Sequence, residues 1–145
     1  MNIQKPRICI IEDRVKSLEE RYSCLLNQPY ELLILLDEFA VLDSFPKNKE
    51  KAKQELIEKL KNKGFENVSY FKVTPESLPK ADLYFSDGLS VGRCFYMLEQ
   101  LESLNISNVF IYSDSFSVMD KAKEKGYKCV KGNLMDIVES HFNQG

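Results

Sequence analysis

Five side chains in this sequence sit at or just past the ends of short apolar runs. Glu12 and Asp13 close the run that begins RICII, Asp87 follows ADLYFS, Ser113 follows NVFIY and Lys131 follows YKCV. Three carboxylates, a hydroxyl and an ammonium make a workable chemical set. Carboxylates on short side chains are hard oxygen ligands, of which Mg²⁺ takes one or two while keeping several waters. Glu12, Asp13 and Asp87 are therefore candidate metal ligands. A bound cation would offset the repulsion among three clustered acids. With the metal and Lys131 neutralising charge on phosphoryl oxygens, Asp87 is placed to act as a nucleophile on phosphorus. Ser113 can hydrogen-bond one of those oxygens. Simpler roles compete with these. Asp13 can cap a helix starting at Arg14, Ser113 and Ser115 can be caps, and Lys131 can be a surface lysine.

The five converge only if the runs before them are neighbouring strands. Arg7–Glu12 reads as a buried strand, short and β-branched. Residues 15, 18, 22, 25 and 26 form a helical stripe, ended by Asn27-Gln28-Pro29. Tyr30–Leu36 (YELLILL) is short enough to favour strand over helix. Asp37 to Pro46 reads as a loop, or holds a short helix around Glu38 to Leu42. Asn48–Lys63 is a helix capped by Gly64, and Asn67–Val73 (NVSYFKV) a strand. Thr74 to Pro79 holds one helical turn at most. Then come a strand at Ala81–Ser86, a helix at Val91–Leu104 and a strand at Asn108–Tyr112. A helix at Phe116–Lys125, a strand at Tyr127–Val130 and a helix at Leu134–Phe142 finish the chain. This alternation predicts an α/β domain with a doubly wound parallel sheet of five or six strands. In such sheets ligands bind outside the carboxyl ends of the strands, where the five residues fall.

The set resembles the receiver domain of bacterial response regulators. That family carries an acidic pair after strand one and a phosphoacceptor Asp after strand three. A Ser or Thr follows its strand four, and a Lys its strand five. The corresponding text here is IIED, LYFSD, FIYS and CVK, and the resemblance covers most of residues 7–142. It implies a flavodoxin- and CheY-like three-layer sandwich forming one domain over 1–145. It also implies phosphoryl acceptance on Asp87, with Ser113 and Lys131 serving the phosphoryl group. Mg²⁺ would be held by Glu12, Asp13, Asp87 and a carbonyl of the Asp87 loop, that of Leu89. Such a protein is a phosphoacceptor rather than a true enzyme. Its partners would be a sensor histidine kinase or phosphotransfer protein and a downstream protein. In the absence of a phosphoryl group, Lys131 is expected to ion-pair with Asp87.

Several positions depart from the family pattern. An extra strand and helix, roughly 30–63, precede Asp87, and NVSYFKV is the preferred match for the family's second strand. A homodimer through the inserted unit stays open. The usual Pro after the Lys is Gly132, and the normally small residue after the Ser/Thr is Asp114. The loop GLSVGR is short, and Tyr127 lies one place before the usual switch aromatic. Three readings follow. The first is a stand-alone signalling module that accepts a phosphoryl group. The second is a phosphorylation-independent interaction module, its switch disabled by Asp114 and Gly132. The weakest is a Mg²⁺-dependent phosphotransfer or hydrolase enzyme. Glu12-Asp13-Arg14-Val15 is not a DxD after the first strand, and the later acids are isolated as SDG and SDS.

Composition narrows the field further. With 145 residues, 43% apolar and 29% charged, the chain has ordinary globular make-up, which argues against disorder or a disulfide scaffold. The longest apolar run, Leu32 to Leu36, is far too short for a membrane span, and no signal peptide is expected, so a cytoplasmic protein is expected. Cys9, Cys24, Cys94 and Cys129 form no CxxC pair and read as reduced core residues. His141 stands alone near the end, which disfavours a Ser-His-Asp site. Residues 47–63 hold seven Lys against three Glu, without Arg or aromatics, and read as a solvated helix face rather than a specific nucleic-acid reader. Gly88 and Gly92 fit neither a GxGxxG nor a P-loop pattern.

Overall fold

The computed structural model describes residues 5–12, 15–37, 49–71, 78–87, 93–103, 108–113 and 115–143. The expectations for Asp37 to Pro46 beyond residue 37, for 74–77, and for Asp13, Leu89 and Asp114 lie outside these residues.

Strand β1 is Arg7–Glu12, followed by helix α1, Val15–Tyr22, and a single 3-10 turn, Ser23–Leu25. Next come β2, Glu31–Asp37; α2, Lys49–Asn62; and β3, Asn67–Phe71. The second half holds β4, Leu83–Ser86; α3, Arg93–Ser103; β5, Val109–Ile111; α4, Phe116–Glu124; and α5, Leu134–Phe142. The run expected as a sixth strand forms only a parallel bridge, Cys129 opposite Ile111. Among the described residues no helix is long and apolar enough to cross a membrane.

All four strand pairings are parallel, and the order is β3-β2-β1-β4-β5. The strand beside β1 is therefore YELLILL, not the preferred NVSYFKV, which lies at the sheet edge. The physical reason is burial. Ile34 and Leu36 of β2 are sealed on one face and Leu35 on the other, as an interior strand requires. Asn67 and Ser69 of β3 are exposed and polar, which suits an edge. β3, which follows α2 in the chain, extends the sheet beyond β2 at this edge. Without β3, the order is that of a flavodoxin-like sheet.

Helices cover both faces. On one, Ile8, Ile10 and Phe85 pack with Leu18 and Tyr22 of α1, Leu60 of α2 and Val138 of α5. On the other, Cys9, Ile11 and Tyr84 pack with Phe95 and Leu98 of α3 and Ala122 of α4. The crossovers change face between β1 and β4, so the topological switch point of the sheet lies between these two strands.

Candidate functional site

Glu12 is the last residue of β1, and Asp87 follows β4 directly. The Asp87 N–H donates to the Ile11 carbonyl at 3.0 Å, which brings the two acids side by side at the switch point. Glu12 is fully buried, whereas the Asp87 side chain keeps 15% of its surface in solvent. A buried carboxylate needs a charge partner, because desolvation alone would cost several kcal/mol, roughly, per ion.

Arg21 supplies that partner. Leu18 and Tyr22 turn α1 onto the core, and Arg21, three residues after Leu18, points along the same side toward the carboxyl edge. Its Nη1 donates to Glu12 Oε2 at 3.1 Å, to Asp87 Oδ1 at 3.3 Å and to the Tyr112 carbonyl at 3.0 Å. The guanidinium carbon lies 4.9 Å from the centre of the Tyr112 ring, a cation–π contact. One nitrogen thus ties together the ends of β1, β4 and β5. Only 7% of the Arg21 side chain is exposed.

Tyr22 lies behind this cluster, its ring edge-on to Tyr112 at 5.7 Å and tilted against Phe85 at 6.1 Å. Its hydroxyl is buried and has no hydrogen-bond partner among the described residues. Burial, and then the charges of Glu12 and Asp87, push its pKa well above the ordinary tyrosine value, while Arg21 pulls the other way.

The other expected site residues do less. Ser113 is half-buried, and its Oγ accepts from the Ser115 N–H at 3.1 Å. Ser115 in turn caps α4 by accepting from the Val118 N–H at 3.4 Å. Of the two serines weighed as caps, Ser115 is the N-cap, and Ser113 bonds the N–H of that cap residue. Lys131 is exposed and makes no ion pair among the described residues. The expected Lys131–Asp87 pair is not formed, and Arg21 reaches Asp87 instead. His141 is at the far end of the sheet, with Nε2 3.1 Å from the Asp82 carbonyl just before β4, too distant to act as a base for the acid pair.

Glu12 and Asp87 fit a hard cation by donor chemistry, since each aims a carboxylate oxygen at one shared point, with an orphan hydroxyl behind. That point is where Arg21 Nη1 sits, and a cation and the guanidinium cannot share it. Among the described residues no group of three or more His, Cys, Asp or Glu is assembled for a metal. Arg21 is the residue that sequence reasoning missed. Its only signal was a basic side chain beside the apolar stripe of α1. No protein-family model matches the chain, and no curated protein matches it.

Proposed function

We propose that the chain is a receiver-like interaction module that works without phosphorylation. The observation that carries this reading is the Arg21 guanidinium bridging Glu12 and Asp87. A phosphoryl-accepting site gathers its acids around an external cation, which also neutralises the transferred group. Here a side chain of the protein supplies a positive charge between the two acids. Ser113, engaged with Ser115, and the exposed Lys131 support the same reading. The module would offer a fixed surface to a protein partner. A cytoplasmic setting suits its free thiols, of which Cys24 is exposed.

A second reading keeps phosphoryl acceptance on Asp87. It assigns Mg²⁺ to Glu12, Asp13, Asp87 and Leu89, and a sensor histidine kinase or phosphotransfer protein as donor. The partial exposure of Asp87 beside a sealed Glu12 favours it. One experiment separates the two. Hydrogen exchange over residues 113–131 is measured with Mg²⁺ alone and with Mg²⁺ plus beryllofluoride. The first reading expects no difference between the two conditions. Protection that appears only with beryllofluoride, and is lost in Asp87→Asn, establishes the second.

A further inference from the structure

We propose that the groove at the amino end of the sheet, lined by Lys5 and Lys80, is the surface this chain offers to a protein partner, and that it takes an acidic segment carrying an apolar side chain. The inference rests on the reading of the chain as an interaction module, and adds which surface it uses and the chemistry of what docks there.

The groove has a volume of about 770 Å³ and opens where β1 and β4 begin. Its walls carry Lys5, Arg7 and Lys80 against a single acid, Asp82. That acid is already engaged. Its Oδ2 accepts from the Arg7 N–H at 2.8 Å, and its carbonyl accepts from Asn108 Nδ2 and lies 3.1 Å from His141 Nε2. Arg7 is held as well, with Nε donating to Glu31 Oε2 at 3.0 Å and Nη1 to the Lys80 carbonyl at 3.4 Å. The two ammonium groups are not held in this way. Lys5 and Lys80 are exposed, and neither makes an ion pair among the described residues. The groove therefore has a fixed frame and two positive charges left for an outside anion.

Apolar surface and charge pattern select the occupant. Pro6, Ala81 and Phe142 line the same groove, and the Phe142 ring is stacked on Tyr30 with centroids 5.1 Å apart, which holds this apolar surface in place. An acidic segment with one apolar side chain matches both the uncommitted charge and the apolar wall. The other lysine-rich surface, α2, lacks the combination. Its lysines are interleaved with Glu50, Glu55 and Glu58, and Lys53 pairs with Glu50 and Lys63 with Glu19. A nucleic acid fits the groove less well, because Asp82 inside it and Glu31 beside it would repel a continuous phosphate backbone.

The test uses the full chain and a blocked pentapeptide in which a central leucine is flanked by glutamates. Backbone amides are followed by NMR in the wild type, Lys5→Glu/Lys80→Glu and Lys51→Glu/Lys59→Glu. In the wild type, the amides of Ala81, Asp82, Asn108 and Phe142 should shift together and saturate. Lys5→Glu/Lys80→Glu should weaken binding by about tenfold or more, whereas Lys51→Glu/Lys59→Glu should leave it within about twofold. An all-glutamate pentapeptide should bind more weakly than the one with leucine. Shifts that centre on α2, or shifts that never saturate, overturn the proposal. So does unchanged affinity in Lys5→Glu/Lys80→Glu, which would leave the two lysines only as counter-charges to the carboxyl end of α5. A uridine oligonucleotide that displaces the peptide from these residues overturns it in favour of nucleic acid. These readouts lie at the opposite end of the sheet from residues 113–131, so they stand or fall separately from the beryllofluoride result.

Discussion

Arg21 combines a buried guanidinium with two carboxylate partners, and its removal would leave charges sealed from water. Breaking such an arrangement by deleting one member costs about 3–5 kcal/mol. We expect Arg21→Ala to lose stability on that scale in chemical denaturation, and Arg21→Lys to lose less. A loss near zero for Arg21→Ala would show that the acids are satisfied by other groups. Tyr22→Phe is the converse case, because it deletes a hydroxyl without a described partner. Its stability at neutral pH should stay within about 1 kcal/mol of wild type. Above neutrality the sign of the hydroxyl's effect is fixed. Burial holds the Tyr22 pKa well above its ordinary value and pushes the Cys9 thiol up to about 12. Stability is then complete below the ordinary thiol and tyrosine values, and falls as pH rises past them, since only the unfolded chain ionises. Tyr22→Phe and Cys9→Ala should each flatten that alkaline decline in pH-dependent unfolding. The acids were readable from the sequence because they close apolar runs. Arg21 was not, since its partners lie 9, 66 and 91 residues away and only the folded sheet brings them together.

At the scale of elements, periodicity located nearly every helix and strand, but not the neighbour of β1. YELLILL and NVSYFKV are both apolar enough to be strands, and no local rule ranks them. The ranking comes from the sheet: an inner strand must be apolar on both faces, and Asn67 and Ser69 spoil one face of β3. Leu36→Ala should therefore cost about 2–5 kcal/mol in thermal or denaturant unfolding, as a fully buried leucine does. Ser69→Ala should stay within about 0.5 kcal/mol of wild type. A large effect at Ser69 would mean that the β3 edge is covered. The expected sixth strand is reduced to one bridge, in which the Ile111 N–H donates to the Lys128 carbonyl and the Val130 N–H to the Ile111 carbonyl, each at 2.9 Å. Ser115 fixes the start of α4, and Ser115→Ala should cost about 1 kcal/mol.

Across the whole molecule, the two ends of the sheet differ in how they hold charge. At the carboxyl end the guanidinium and Glu12 are buried and Asp87 is largely so, so their contribution should persist in high salt. At the amino end the Arg7–Glu31 pair, at 3.0 Å, is exposed and should weaken as salt rises. Comparing Arg21→Ala with Glu31→Ala at low and high ionic strength checks this, since only the second loss should shrink with salt. The position of β1 has a further effect, on the order in which the protein assembles. Its pairing with β2 joins nearby stretches of chain, but its pairing with β4 joins segments such as Arg7 and Asp82, 75 residues apart. The second contact closes a much longer loop and forms more slowly. During synthesis, one side of β1, with Ile8, Cys9, Ile10 and Ile11, stays unpaired until residues 83–86 emerge. An open strand of that composition can capture the same strand of another copy, so dilution should favour refolding and crowded, simultaneous refolding should favour aggregates.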